Sequence, residues 1–268
     1  MLLRGLALHR GVPTAVRLSA APGPITLAQR RGEAPLEALS VVRTDRGVTV
    51  ASEAGRVRLD LVEHLFAAVG GLGLGGGLRI ATDDDELPLL DGGARVYAEA
   101  LRALAIPAAP RGLVVTRPAT FRRGASVYEL SPAEATRVEV EVAFRQPVGA
   151  GAAAWDGDVD DFVERIAPAR TFGWVDEYEA LRATGRAAGV DLASVLVFDG
   201  EGVLPGCRPA EPAEPARHKL LDLIGDLALH GGPPRGLVRA SLPGHTITHA
   251  IVAEALAAGV LARAGAAA

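Results

Sequence analysis

With six histidines in 268 residues, few side chains can hold a transition metal, and some of those six keep suggestive company. In Arg217-His-Lys-Leu-Leu-Asp-Leu-Ile-Gly-Asp226, His218 and Asp222 stand four residues apart. On a helix that spacing puts both on one face, with Asp226 a further turn along it. An imidazole and a carboxylate one turn apart can reach a single metal ion, and a catalytic zinc needs about three protein ligands if one position is to stay open for water. His64 is the best third candidate, because it lies in an otherwise apolar run directly after Glu63. Zinc lowers the pKa of its water to about 7, so a carboxylate beside a liganding histidine is placed to accept that water's proton. Each feature alone has an ordinary reading. A His-x-x-x-Asp pair is commonly solvated or capping, and a loop histidine such as His245, in Pro243-Gly-His-Thr246, usually finds a structural hydrogen bond. Their joint occurrence is what points to chemistry; spacing does not show that they converge.

The elements that must position these residues are short. Alternating segments at 14–18, 25–27 and 48–50 read as strands. From Leu61 to Val69 the spacing turns helical, and the run Gly70 to Gly77 ends that helix. A strand at 78–80 and a helix from about Val96 to Leu104, capped by Asp91, follow. Ile106 to Gly112 reads as a linker. Beyond it come strands at 113–115, 126–130 and 138–144 and a helix at about 159–166. The segment 174–205 carries a helical piece and an apolar strand at 194–198. A strong helix at 216–229, a strand near 237–241 and a helix from near Thr248 complete the order, the Ala-rich tail from Ala253 to Ala268 reading as the frayed end of that helix. Two successive halves of strands and helices predict an α+β fold of two similar layers. The expected division is an N-terminal domain, 1–108, carrying Glu63 and His64, and a C-terminal domain, 109–268, carrying His218, Asp222 and His245 with an insert near 174–205.

Composition narrows the function. A net charge of -4 argues against general nucleic-acid binding, and a single cysteine, Cys207, excludes a disulfide framework or a cysteine-rich zinc site. Met1 to Arg10 lacks the apolar core of a secretory signal, and no long uncharged apolar run reads as a membrane span, so a cytoplasmic protein is expected. Three further features read as structural: His9 sits in a turn, Asp83 to Glu86 form an exposed turn, and His230 caps a helix C-terminus, while His249 has no assigned role.

Val62-Glu-His-Leu-Phe-Ala-Ala68, Leu87-Pro-Leu-Leu-Asp-Gly92, Ala169-Arg-Thr-Phe-Gly173, Arg217 to Asp226 and Gly244-His245 occur in one order. In this the chain resembles the UDP-3-O-acyl-N-acetylglucosamine deacetylases of lipid A biosynthesis over essentially its whole length. Gly5-Leu-Ala-Leu-His-Arg-Gly11 and Phe144-Arg-Gln-Pro147 are similar to two further elements of that family. The resemblance implies two β-α-α-β layers with helices sandwiched between two sheets. It implies one zinc ion held by His64, His218 and Asp222, although a His/His/carboxylate set also accepts iron(II). Glu63 is then the general base, His245 the general acid, Asp226 the carboxylate that orients and charges it, and Thr171 a hydroxyl that polarises the amide oxygen. Lys219 matches a diphosphate contact, Phe144 an aromatic near the uracil, and Phe172 a further substrate contact. The implied partner is one small molecule, an acylated nucleotide sugar, met by a monomeric enzyme.

The chain also departs from the family pattern. Gly75-Gly76 replaces Asp-Asn, Gln146 replaces a histidine, and Leu242-Pro243 replaces Lys-Ser before Gly244. Gly189 to Ser194 differs in the insert that lines the acyl passage. The alternatives are therefore a related deacetylase acting on another N-acetylated sugar, and a non-catalytic metal-binding relative.

Overall fold

Alternation builds the strands. Thr136–Ala143 reads Thr-Arg-Val-Glu-Val-Glu-Val-Ala, and its three valines are buried while Arg137 and Glu141 face out. The computed structural model describes residues 1–109 and 112–264. In chain order it begins with β1 (Leu2–Leu6), β2 (Pro13–Ala20), β3 (Thr26–Gln29) and β4 (Gly32–Pro35). A small sheet of β5 (Leu39–Arg43), β6 (Thr49–Ser52) and β7 (Arg58–Asp60) comes next, followed by α1 (Glu63–Gly71), β8 (Leu78–Ala81) and α2 (Arg95–Arg102). The chain continues through β9 (Leu113–Val115), β10 (Ala119–Arg123), β11 (Ser126–Ser131), β12 (Thr136–Ala143) and β13 (Ala150–Trp155). After them stand α3 (Val159–Asp161), β14 (Phe172–Trp174), α4 (Val175–Ala183) and β15 (Leu196–Phe198). The last elements are α5 (Glu214–Ala228), β16 (Gly236–Ser241), α6 (His245–Ala257) and β17 (Leu261–Arg263).

Two five-stranded sheets result, ordered β1-β2-β8-β3-β4 and β10-β11-β16-β12-β13. Their wiring is the same. The central strand is the last to join: β8 runs antiparallel to β2 and parallel to β3, and β16 antiparallel to β11 and parallel to β12. One continuous core runs from Val16, Leu18, Leu27 and Ile80 of the first sheet to Val138, Val140 and Val238 of the second. Between them it passes through Leu65 and Phe66 of α1 and Leu220, Leu221 and Ile224 of α5. This is the mixed α+β architecture expected, with helices between sheets. Among the described residues no helix is long and apolar enough to cross a membrane.

Three local expectations need correction. The last helix begins at His245, not near Thr248, because Gly244 is extended behind Pro243 and the Thr248 N–H already closes the first turn on the Gly244 carbonyl at 2.8 Å. The tail is not one long helix. Gly259 takes a φ of 66°, which stops helical winding, and Leu261–Arg263 pairs antiparallel with Leu113–Val115. Residues 265–268 of that tail, like 110 and 111 of the expected linker, lie outside the described residues. The helix read at 159–166 is one α turn continued by a π turn, Phe162–Ile166. Phe162 fills the space over Gly71, where a Cβ would stand 2.4 Å from the ring.

The layers meet where α1 crosses α5. A Cβ on Gly225 would lie 2.2 Å from the Glu63 carbonyl oxygen and 3.1 Å from the Ala67 nitrogen. Further along, a Cβ on Gly70 would meet Ala228 Cβ at 3.1 Å and the Ile224 carbonyl oxygen at 3.2 Å. Glycine is therefore the residue that lets the two backbones touch. Gly225→Ala should push α1 and α5 apart and lower the free energy of unfolding by about 1–3 kcal/mol. Urea denaturation checks this, and an unchanged midpoint would mean that the helices do not meet as described.

Candidate metal centre

The α1–α5 crossing sets Glu63 and His64, at the first turn of one helix, against His218 and Asp222 on the inward face of the other. All four are buried, with no more than 5 % of each exposed. His218 Nε2 is 3.5 Å from Asp222 Oδ1 and His64 Nε2 is 3.9 Å from the same oxygen. The three ligand atoms all lie within 4.8 Å of one another. Zinc bonds of about 2.0–2.1 Å in a tetrahedron would hold ligand atoms about 3.3–3.4 Å apart, so a slight contraction of this trio fits one ion. The His218 Nδ1–H donates to the Ala169 carbonyl at 3.0 Å, which leaves its Nε2 lone pair facing Asp222. Among the described residues, His64 Nδ1 has no hydrogen-bond partner.

Electrostatics keep the donors in ligand form. Burial, and then the neighbouring His218, lower His64 to about 3; burial also lowers His218 despite the pull of Asp222. Both rings are thus neutral, as a ligand must be. Burial alone would raise Asp222, but the Lys219 ammonium, with Nζ 2.6 Å from Oδ2, and then the imidazoles hold it well below the usual carboxylate range. Glu63 is pushed up to about 7 by burial, although its Oε2 accepts the Val48 N–H at 2.9 Å. His245 stands at the first residue of α6. Burial would lower it, yet Asp226, 2.9 Å from Nδ1, raises it to about 9. His245 Nε2 faces Asp222 Oδ2 at 3.9 Å. A carboxyl near neutrality and a charged imidazole at one ion site form an acid–base pair.

The cleft around this cluster has a volume of about 470 Å³ and is lined by Glu63, His64, Thr171, His218, Lys219, Asp222 and His245. Phe144 and Phe172 also line it, with ring centroids 5.1 Å apart, and Trp174 packs on both. Leu61, Leu181, Ala187, Val190, Val195 and Val197 add an apolar part to the lining. All ten residues singled out in the sequence as catalytic, substrate-binding or metal-ligating converge here except Asp226, which stands directly behind His245.

Other assignments sort differently. His9 lines the cleft as well, and its Nε2 donates to the Arg46 carbonyl at 2.8 Å. Asp83 and Asp85 lie in an exposed turn, paired with Arg30 and Arg10, while Glu86 is buried and accepts the His9 N–H. The capping role expected of His230 is not what the structure holds. Burial and then His249 lower it to about 4, so it brings no charge to the helix dipole; its Nε2 instead lies 2.8 Å from His249 Nδ1. Asp91, expected to cap α2, does not: Ala94 holds the N-cap of that helix without a side-chain hydrogen bond, and Asp91 Oδ1 has no hydrogen-bond partner among the described residues.

Two residues missed in the sequence hold the centre together. Arg170 donates from Nε to Glu214 Oε1 at 2.8 Å and from a terminal nitrogen to Oε2 at 3.0 Å, both side chains being buried. This pair ties the start of α5 to the Ala169–Thr171 segment, whose Ala169 carbonyl orients His218. The available signal was an arginine between two site residues and a glutamate one helical turn before His218.

Fold and site together define a layered α+β protein with a cleft suited to one metal ion beside an acid–base pair. The family model for UDP-3-O-acyl N-acetylglycosamine deacetylase (LpxC) matches residues 1–257. The chain is 34% identical over 265 residues to the UDP-3-O-acyl-N-acetylglucosamine deacetylase of Myxococcus xanthus, covering 95% of this chain and 83% of that one. It is 35% identical to the enzyme of that name from Phenylobacterium zucineum, with 96% and 90% covered. To the one from Synechocystis sp. it is 34% identical, with 96% of each covered. The chain belongs to the UDP-3-O-acyl N-acetylglycosamine deacetylase family.

The buried pair yields a pH prediction. Burial would raise Glu214, but the Arg170 hydrogen bonds outweigh it and leave the carboxyl lowered. A lowered folded pKa adds stability above the unfolded value of about 4.3, and that stability is lost as pH falls through the folded value. Glu214→Gln should therefore cost about 3 kcal/mol at neutral pH, where it strands a buried guanidinium, with the difference shrinking below about pH 4. Urea unfolding from pH 3 to 7 measures it; a pH-independent difference would contradict this assignment.

Proposed function

We propose that this chain is a zinc-dependent amide hydrolase that removes the N-acetyl group of UDP-3-O-acyl-N-acetylglucosamine, as the names of its relatives describe for them. The observation that carries the reading is the convergence of Glu63, His64, His218, Asp222 and His245, from three helices, on one cleft. Held by His64, His218 and Asp222, zinc would polarise the amide carbonyl as a Lewis acid and acidify the attacking water. Glu63 accepts that water's proton. Protonated His245 and the Thr171 hydroxyl stabilise the negative charge gathering on the carbonyl oxygen. The C–N bond breaks as the nitrogen takes a proton from Glu63 or His245, giving acetate and a free amine. Asp226 keeps His245 oriented throughout. The apolar lining residues suit an acyl chain, and Phe144, Phe172 and Lys219 are the contacts read for the nucleotide end.

Zinc-loaded protein should hold one ion per chain and release acetate from the acylated nucleotide sugar. His218→Ala should lose the ion. Glu63→Gln should keep it and lose at least about 100-fold in kcat. Identical behaviour of wild type and Glu63→Gln would make the chain a metal-binding scaffold, whereas turnover only of simpler N-acetyl sugars would move the substrate and leave the chemistry standing.

Lys219→Ala, checked for full zinc content, should weaken binding of uridine diphosphate about tenfold by calorimetric titration. Unchanged affinity would remove Lys219 from the nucleotide subsite.

A further inference from the structure

Asp226 is 1 % exposed and has two imidazole neighbours, not one. On the cleft side His245 Nδ1 lies 2.9 and 3.0 Å from its oxygens. On the other side His249 Nε2 lies 3.3 Å from Oδ1. His249 Nδ1 in turn lies 2.8 Å from His230 Nε2. His249 is buried, and neither it nor His230 is among the residues lining the cleft, so any effect on the reaction passes through Asp226.

The contacts give the chain a direction. A His230 Nε2–H that donates to His249 Nδ1 leaves the proton of the His249 ring on Nε2, 3.3 Å from Asp226 Oδ1 though out of line for a formed hydrogen bond. The reverse tautomer would turn the Nε2 lone pair of His249 against Asp226 Oδ1, a repulsion inside a buried, weakly screened site. His230 is lowered to about 4, which agrees with a neutral ring. The two residues come from separate elements, His230 from the turn after α5 and His249 from the second turn of α6. They fix the same two helices that carry Asp226 and His245.

We infer that His249, with its tautomer set by His230, is a positioning residue for the general acid: it anchors the Asp226 carboxylate from behind so that both oxygens stay on His245 Nδ1. This rests on the deacetylase reading, in which His245 touches the reacting amide and His249 does not. A device of this kind acts on the chemical step and leaves substrate binding alone.

The test compares His249→Leu, His249→Gln and His230→Leu in zinc-loaded protein of equal folded stability. His249→Leu removes the donor and should lower kcat about tenfold while KM stays within about twofold. His249→Gln, which keeps a donor and an acceptor, should recover most of that loss. His230→Leu should cost about threefold alone and nothing further on top of His249→Leu, since it works only through that ring. Independently of activity, long-range 1H–15N spectra of the metal-free protein should show His249 protonated at Nε2 and bare at Nδ1. Wild-type kcat in His249→Leu, additive losses in the double variant, or an Nδ1-protonated His249 would each overturn the inference. A wild type that does not turn over the acylated nucleotide sugar would sink the deacetylase reading instead, and the spectra would still decide the hydrogen-bond chain.

Discussion

The α1–α5 crossing is the contact on which the rest of this structure depends. Glu63 and His64 come from the layer built on the first sheet, His218, Asp222 and Asp226 from the layer built on the second, and only helix backbones in direct contact bring them within ligand distance. That contact is permitted by Gly225, whose missing side chain leaves room for the Glu63 carbonyl. A side chain there would not merely crowd a core. It would displace the first turn of α1, which carries Glu63 and His64, and geometry of this kind tolerates well under an ångström of error.

Buried charge is the cost of such a site, and its compensation can be traced atom by atom. Asp222 lies in the core with Lys219 at 2.6 Å and two imidazoles at 3.5 and 3.9 Å. Isolated, such a carboxylate would be strongly destabilising. Paired on one oxygen with an ammonium, it keeps its negative charge and leaves the other oxygen facing the two neutral rings. The same logic recurs one turn along, where Asp226 is shared between His245 and His249. The two carboxylates of α5 do different work because their partners differ: one faces neutral imidazoles and suits a cation, the other holds an imidazole charged. The Arg170–Glu214 pair lies outside this chemistry, yet it sets the Ala169 carbonyl that fixes which nitrogen of His218 faces Asp222.

Much of this was legible in the sequence, for definite reasons. The strands at 13–20, 78–81 and 136–143 alternate cleanly because one face is buried, and α5 shows its inward face through Leu220, Leu221, Ile224 and the His218–Asp222 spacing. What stayed hidden was hidden physically. Ala150–Trp155 carries four alanines and no alternation, so β13 is defined by its pairing with β12 and not by its own residues. The start of α6 was misplaced because an extended glycine leaves no capping side chain to read. His249 looked idle because its partners, Asp226 and His230, are 23 and 19 residues away in the chain and are joined to it only by packing. Convergence was the part that spacing could not supply, and family resemblance stood in for it.

Chemistry and selection occupy different kinds of structure in this chain. Glu63, His64, His218, Asp222 and His245 lie on α1, α5 and α6, which are packed into the core or against it and held by backbone contact and buried ion pairs. Much of the remaining cleft lining comes from the 174–197 segment. It is tied to the first layer through Arg46 to Glu177, Arg186 to Asp45, and the close seating of Gly189 on the Ala7 carbonyl. Those two ion pairs reach the surface, so each adds little energy, and the segment owes its place mostly to Val190, Val195 and Val197 packing toward Leu61 and Leu89. Substitutions along this segment, such as those at Gly189 to Ser194, can change the shape of the cleft without moving a ligand atom. The departures from the family pattern leave the trio intact, and only some of them, such as Val190 and Pro243, line the cleft, which fits a site whose rigid part carries the reaction and whose adaptable part carries its substrate.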